Sequence, residues 1–187
     1  VSKAIGMDHR IGPKFLKASV GFGGSCFQKD ILNLVYLCRH YGLDKVAEYW
    51  HQVVKINDYQ KNRFAAKIIE GLNGTVNQKK VTLLGWAFKK DTNDSRESAA
   101  IYVADILLEE GAEVHVYDPM VKEDRIRQDL TTLWEARNDS KHEVAAKLKR
   151  CVVHVDCRIA LENSFAIAIL TEWDEFKSYD WNAIAHK

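Results

Sequence analysis

The spacing of the apolar residues changes at Asn73-Gly74-Thr75-Val76-Asn77, and that change limits what the chain can become. Before it, apolar side chains recur every three or four residues. After it, they form short runs bounded by turn residues. Residues 14–72 are therefore expected to be helical throughout. Ile31, Leu34, Val35 and Cys38 mark one helix that stops at Gly42. A second helix, of about 27 residues, starts near Asp44 and carries Val46, Trp50, Val53, Phe64 and Ile68 along one side. So long an apolar helix needs a cover, which a second copy or a larger parent chain would supply equally well.

Past the turn-rich segment, Lys80-Val81-Thr82-Leu83-Leu84-Gly85 and Glu113-Val114-His115-Val116-Tyr117-Asp118-Pro119 read as strands on either side of a helix from Ser98 to Gly111. That is a βαβ unit with a parallel sheet. Asp94 with Glu97 three residues later reads as a capping box for the helix. Residues 152–155 and 165–170 supply two more strands, and Asp180 to Lys187 begins a last helix. Residues 120–149 are charged and indefinite, and read as a short helix and a surface excursion. The expected fold class is α/β, with a helical part over residues 1–74 and a Rossmann-like parallel-sheet part over residues 78–187.

Charge and cysteine usage narrow the setting. Lys and Arg total 27 against 26 Asp and Glu, which leaves no basic field for nucleic acid or a membrane surface. Asp105 and Glu172 interrupt the longest apolar runs, so none approaches membrane-spanning length, and no secretory h-region opens the chain. Cys26, Cys38, Cys151 and Cys157 show no framework spacing and read as reduced thiols of a cytoplasmic protein. Cys151-x-x-His154-x-x-Cys157 lies in a strand-like run without a second ligand pair, so no metal is expected. The chain begins without Met and stops within an element, which reads as a piece of something longer.

Chemistry concentrates in Gly21-Phe22-Gly23-Gly24-Ser25-Cys26-Phe27-Gln28-Lys29-Asp30. Ser25 or Cys26 falls at a helix N-terminus, where unpaired N–H groups and the macrodipole favour an anion and Lys29 adds a cation. Cys26 is thus a candidate thiolate nucleophile. Asp30 lies one turn on and shares its face, placed to order or deprotonate a water near the sulfur. A small buried cysteine above an ordinary solvated helix turn would account for the same residues taken singly. A second candidate region is the first βα turn, Trp86-Ala87-Phe88-Lys89-Lys90-Asp91-Thr92-Asn93-Asp94. It lacks the second and third glycines of a dinucleotide fingerprint, so this sheet is not expected to hold NAD alone. Phe88, Lys89 and Arg96 nonetheless lie beyond the strand ends, where two cations and an aromatic suit a nucleotide with phosphates.

Those two regions, together with Asp94-Ser95-Arg96-Glu97-Ser98 and Tyr117-Asp118-Pro119, resemble the UDP-glucose 6-dehydrogenases of animal type, within the UDP-glucose/GDP-mannose dehydrogenase family. The resemblance covers nearly all of the chain and is weakest at about 120–150. It implies the central helical dimerisation part and most of the C-terminal UDP-binding part of such an enzyme. The N-terminal NAD-binding domain and the last strand would be missing, so the chain alone is expected to be inactive. Its implied reaction takes UDP-glucose to UDP-glucuronate by two hydride transfers to NAD. Cys26 would capture the intermediate aldehyde and Asp30 would serve the hydrolytic water. Cys26, Phe27, Gln28 and Lys29 would line the nicotinamide side, with Arg96 reaching the cofactor from the other part. Lys17, Ala18, Ser19, Val20, Gly21, Phe22 and Gly23 would cradle the sugar nucleotide, Phe88 and Lys89 would hold it from across, and Arg10 would enter a neighbouring subunit's site. The implied partner is a second copy through the long helix, within a higher homo-oligomer. Dehydrogenases of GDP-mannose or UDP-N-acetylmannosamine are the competing readings inside the family. A non-catalytic nucleotide-binding module and an oligomerisation scaffold compete from outside it.

Overall fold

The structure, a computed structural model, describes residues 1–14 and 16–185. Helix α1 is one turn, Ser2–Ile5, and α2 spans Phe27–His40. Residues 16–26 between them are not helical, against the expected unbroken helical segment. Gly21 and Gly24 there take φ of 147° and 83°, values that interrupt a right-handed helix. Helix α3, Asp44–Gly71, runs 28 residues and packs on α2 through a small cluster of Val35, Cys38 and Ala47.

The buried stripe of α3 is Ala47, Val54, Asn57, Lys61 and Ala65. It lies beside the apolar line legible in the sequence, and that line divides. Val46 and Trp50 stay exposed, whereas Phe64 and Ile68 pack against the main core.

After α3 come β1 (Lys80–Leu84), α4 (Ala99–Glu109), β2 (Glu113–Tyr117), α5 (Glu123–Ala136), α6 (Lys141–Lys149), β3 (Cys151–His154), α7 (Cys157–Leu161), β4 (Ala166–Ile169), a 3-10 turn (Asp174–Ser178) and α8 (Trp181–Ala185). The helix expected over Asp180 to Lys187 thus begins at Trp181, and residues 186–187 lie outside the described ones. All strand pairs are parallel and the order is β3-β2-β1-β4. The chain lays strands to one side of β1 and then returns β4 to the other. This makes a topological switch point at the carboxyl ends of β1 and β4, where ligands of open α/β sheets bind. Val81, Leu83 and Leu84 of β1 are fully buried with Val103, Leu107 and Leu108 of α4. Ala65 of α3 and Val20 of the preceding loop join that same core, so the helical part and the sheet share one interior.

Two local expectations are corrected. The cap of α4 is Ser98, whose side chain accepts from the Ala100 N–H, rather than an Asp94–Glu97 box. Asp94 is taken by Arg96, and Glu97 sits at φ 53° with its carboxylate accepting from the Tyr102 hydroxyl at 2.6 Å. Residues 120–149 are two ordered helices and not a surface excursion. Ile126, Leu130 and Trp134 bury one face of α5, and the Trp134 indole donates to Asp105 of α4 at 2.7 Å. Ser140 and Glu143 form a reciprocal capping box at the start of α6.

Candidate active site

Cys26 is the residue immediately before α2, and its thiol is exposed, 3.9 Å from the Ser25 hydroxyl. The Asp30 N–H donates to the Cys26 carbonyl at 2.9 Å, which closes the first helical turn. Lys29 and Asp30 approach to 3.7 Å in solvent. Thiol, ammonium and carboxylate therefore stand together on the opening turn of a 14-residue helix, where an anion is favoured.

The loop leading to Cys26 is held from the sheet side by backbone. The Gly24 N–H donates to the Arg96 carbonyl at 2.8 Å. A Cβ on Gly23 would stand 2.5 Å from the Glu97 carbonyl oxygen, and one on Gly24 would meet the Phe88 ring at 3.0 Å. Only glycine permits that approach. Phe88 is fixed in turn by a bond from its N–H to the Asp94 carbonyl at 3.0 Å. Just before it, Asp118 accepts from the N–H groups of Trp86 and Ala87 at 2.6 and 3.0 Å. Arg96 grips Asp94 through Nε and Nη2, which holds the Asp94 carboxyl below its ordinary range and the guanidinium above its own.

Two clefts flank this loop. The larger, about 810 Å³, has Ser25, Gln28, Lys29 and Arg96 on one side and Arg125 and Gln128 of α5 on the other. The smaller, about 330 Å³, lies at the switch point. Ala18, Ser19 and Val20 face Ile169, Leu170, Thr171 and Glu172 there, with Phe64 between them.

The candidate residues thus separate into groups. Gln28, Lys29 and Arg96 share the larger cleft, Ala18 to Val20 line the smaller, and Gly23 touches Phe88. Phe22 and Phe27 pack edge to face, with ring centroids 5.9 Å apart. Lys89 is exposed, its ammonium 5.4 Å from the Phe88 ring centroid. Lys17 and Arg10 line neither cleft, and Arg10 is paired with Asp8 at 2.6 Å. Asn57 and Arg125 were not singled out in the sequence, and Asp118 entered it only within the Tyr117-Asp118-Pro119 motif, without a role at the site. Among the described residues no three His, Cys, Asp or Glu gather to hold a metal ion, and no helix is long and apolar enough to cross a membrane.

Residues 1–59 match the central domain of the UDP-glucose/GDP-mannose dehydrogenase family, and residues 82–187 match its UDP binding domain. The chain belongs to this family. It is 51% identical over 187 residues to the UDP-glucose 6-dehydrogenase of Bos taurus, covering 100% of this chain and 37% of the relative. With UDP-glucose 6-dehydrogenase 4 of Arabidopsis thaliana it shares 52% identity, over 98% of this chain and 39% of the relative. A solved UDP-glucose dehydrogenase from Pyrobaculum islandicum superposes with a TM-score of 0.74 at 31% identity, covering 96% of this chain and 37% of that one. The chain therefore spans under two-fifths of the length of these relatives.

Proposed function

We propose that this chain forms the central part and most of the UDP-binding part of an NAD-dependent UDP-glucose 6-dehydrogenase. The observation that carries the reading is the docking of the Cys26 loop onto Phe88 and residues 96–97. It sets Ser25 and Gln28, on either side of the exposed Cys26, in the larger cleft and Ala18 to Val20 of the same segment in the smaller, while the Cys26 thiol itself lines neither. The smaller cleft lies at the switch point of the sheet and suits the uridine nucleotide, with the glycine loop cradling the sugar. The larger has the cations Lys29 and Arg96 and the amide of Gln28. These fit the nicotinamide and phosphate side of a dinucleotide. Its remaining contacts would come from a separate dinucleotide-binding domain.

NAD, when bound, accepts hydride from the sugar carbon. Cys26 thiolate would attack the aldehyde carbon, forming a C–S bond as the carbonyl π pair moves onto oxygen, and collapse of that alkoxide with departure of hydride would leave a thioester. Asp30 would take one proton from water as it adds, the C–S bond would break to return the Cys26 thiolate, and the carboxylic acid so formed would ionise to the carboxylate. Turnover of the whole enzyme tests this. Cys26→Ser should lower NADH formation by orders of magnitude with UDP-glucose binding retained, since a hydroxyl ionises and leaves poorly. Near-normal NADH formation would remove Cys26 from the chemistry.

The exposed apolar residues Val46, Tyr49, Trp50, Ile56 and Tyr59 on α3 support a homodimer through the long helix. Four free cysteines suit a reducing compartment such as the cytoplasm.

A further inference from the structure

We infer that Asn57, midway along α3, is a positioning residue that sets the backbone of the Cys26 loop. Its side chain spans 35 residues of sequence to reach one amino acid of that loop on both sides. The Phe22 N–H donates to Asn57 Oδ1 at 2.8 Å, and Asn57 Nδ2 donates to the Phe22 carbonyl at 3.0 Å. The pair is self-consistent, because only this orientation of the amide puts an acceptor on the N–H and a donor on the carbonyl. Asn57 is 4% exposed, so water does not replace either bond when it is lost.

The neighbourhood is built around this contact. Gly21 passes so close that a Cβ there would stand 2.9 Å from Asn57 Oδ1 and 3.4 Å from Lys61 Cγ, at φ 147°. One turn along, Lys61 is buried, bonded to Asp58 at 3.0 Å, with its ammonium 3.9 Å from the centre of the Tyr102 ring. Tyr102 in turn donates to Glu97, whose carbonyl meets Gly23. The loop is thereby gripped from α3 at Phe22 and from residues 96–97, just before α4, at Gly23 and Gly24, four residues or fewer before Cys26. Helix α3 also carries the exposed apolar residues Ile56 and Tyr59 beside Asn57. Whatever covers that face bears on the same helix that holds the loop.

This inference rests on the reading of Cys26 as the reacting thiol, and its test has one arm independent of that reading. In the chain itself, hydrogen exchange at the Phe22 amide is measured for the wild type, Asn57→Leu and Asn57→Asp, with circular dichroism as the check on folding. Asn57→Leu should lose protection at Phe22 by about tenfold or more, the worth of one buried hydrogen bond. Asn57→Asp keeps an acceptor for the Phe22 N–H, but its second ionised oxygen faces the Phe22 carbonyl and repels it, which pushes the loop off α3; protonation restores a donor there. Protection should therefore be low at pH 8 and return as the pH falls toward 5, with Lys61 and Asp58 the nearest charges to the new carboxylate. The second arm is kcat for UDP-glucose in the whole enzyme, which should fall about tenfold or more in both variants at pH 8. Unchanged protection in Asn57→Leu, or in Asn57→Asp at pH 8 should Asn57→Leu not fold, overturns the inference. So does lost protection with wild-type kcat. Lost protection when the wild type itself shows no turnover leaves the clamp standing and removes the dehydrogenase reading.

Discussion

Asp118→Asn, a near-isosteric change, should markedly destabilise this chain. Asp118 Oδ2 accepts from the Trp86 N–H at 2.6 Å, the Ala87 N–H at 3.0 Å and the Trp173 indole at 3.1 Å. Oδ1 accepts from the N–H groups of Met120 and Val121, both at 2.8 Å. An asparagine keeps one acceptor oxygen and turns an NH₂ toward the other set. At best the Met120 and Val121 donors are lost; at worst the three on Oδ2 are. Each buried orphan donor costs about 1–3 kcal/mol, so losing the two on Oδ1, the less costly orientation, should cost about 2–6 kcal/mol, toward the lower end because the Met120 N–H is only part-buried. Against a native stability of about 5–15 kcal/mol this is a large fraction. For a chain of this size it corresponds to a fall in Tm of about 10 °C. Thermal and urea unfolding followed by circular dichroism measure it, and UDP binding should weaken in parallel because Phe88 follows directly on Ala87. A Tm within about 2 °C of the wild type would refute the reasoning, since no rearrangement of one amide can satisfy five donors.

Acid should destabilise the fold through the His115–His154 pair, whose ring nitrogens meet at 2.7 Å. Burial, with Lys80 and then His154 adding to it, lowers the His115 pKa to about 4, and His154 is lowered as well. The neutral folded form is thus favoured above the unfolded value near 6.5, and that stability is lost as pH falls from about 6.5 toward 4. After discounting for the partial exposure of both rings, the loss by pH 5 should be about 1 kcal/mol in urea unfolding, and His115→Gln should remove most of the pH dependence. Equal pH dependence in the variant would assign the effect elsewhere. Iodoacetamide at neutral pH should label Cys26 first, because its thiol is exposed while Cys38, Cys151 and Cys157 are buried and burial pushes the last two thiols up to about 11. Peptide mapping after brief exposure reads this directly, and even labelling of all four would count against it.

Much of the architecture was legible because it depends on local patterning. The switch from a helical period to short apolar runs marked the end of α3 and the strands of a parallel sheet, and the α2 start after Ser25-Cys26 was legible, whereas the loop over residues 16–26 was read as helix despite its glycines. What was not legible depends on pairing across distance. Residues 120–149 look polar, but their Arg137 and Lys147 are matched by Asp105 and Glu109 of α4, with Asp139 of the same segment also on Lys147. No short window shows that the charges are complementary. Asn57 and Lys61 looked like surface residues of a long helix, and only the loop folding back over them makes them interior. Asp94 and Glu97 had the spacing of a capping box, but Arg96 competes for one and Tyr102 for the other. Arg10 was tied to a site by resemblance, and among the described residues it pairs with Asp8.

Isothermal titration calorimetry of this chain with UDP, UDP-glucose and NAD+ tests the central claim most directly. Ala18 to Val20 and the end of β4, Ile169 to Glu172, should hold the uridine ligands between the two parts, weakly, while a βα turn with one glycine should not hold a dinucleotide. The account predicts heat with UDP and UDP-glucose and none with NAD+. Binding of NAD+ in the absence of a uridine nucleotide, or silence with UDP from a folded chain, would contradict it.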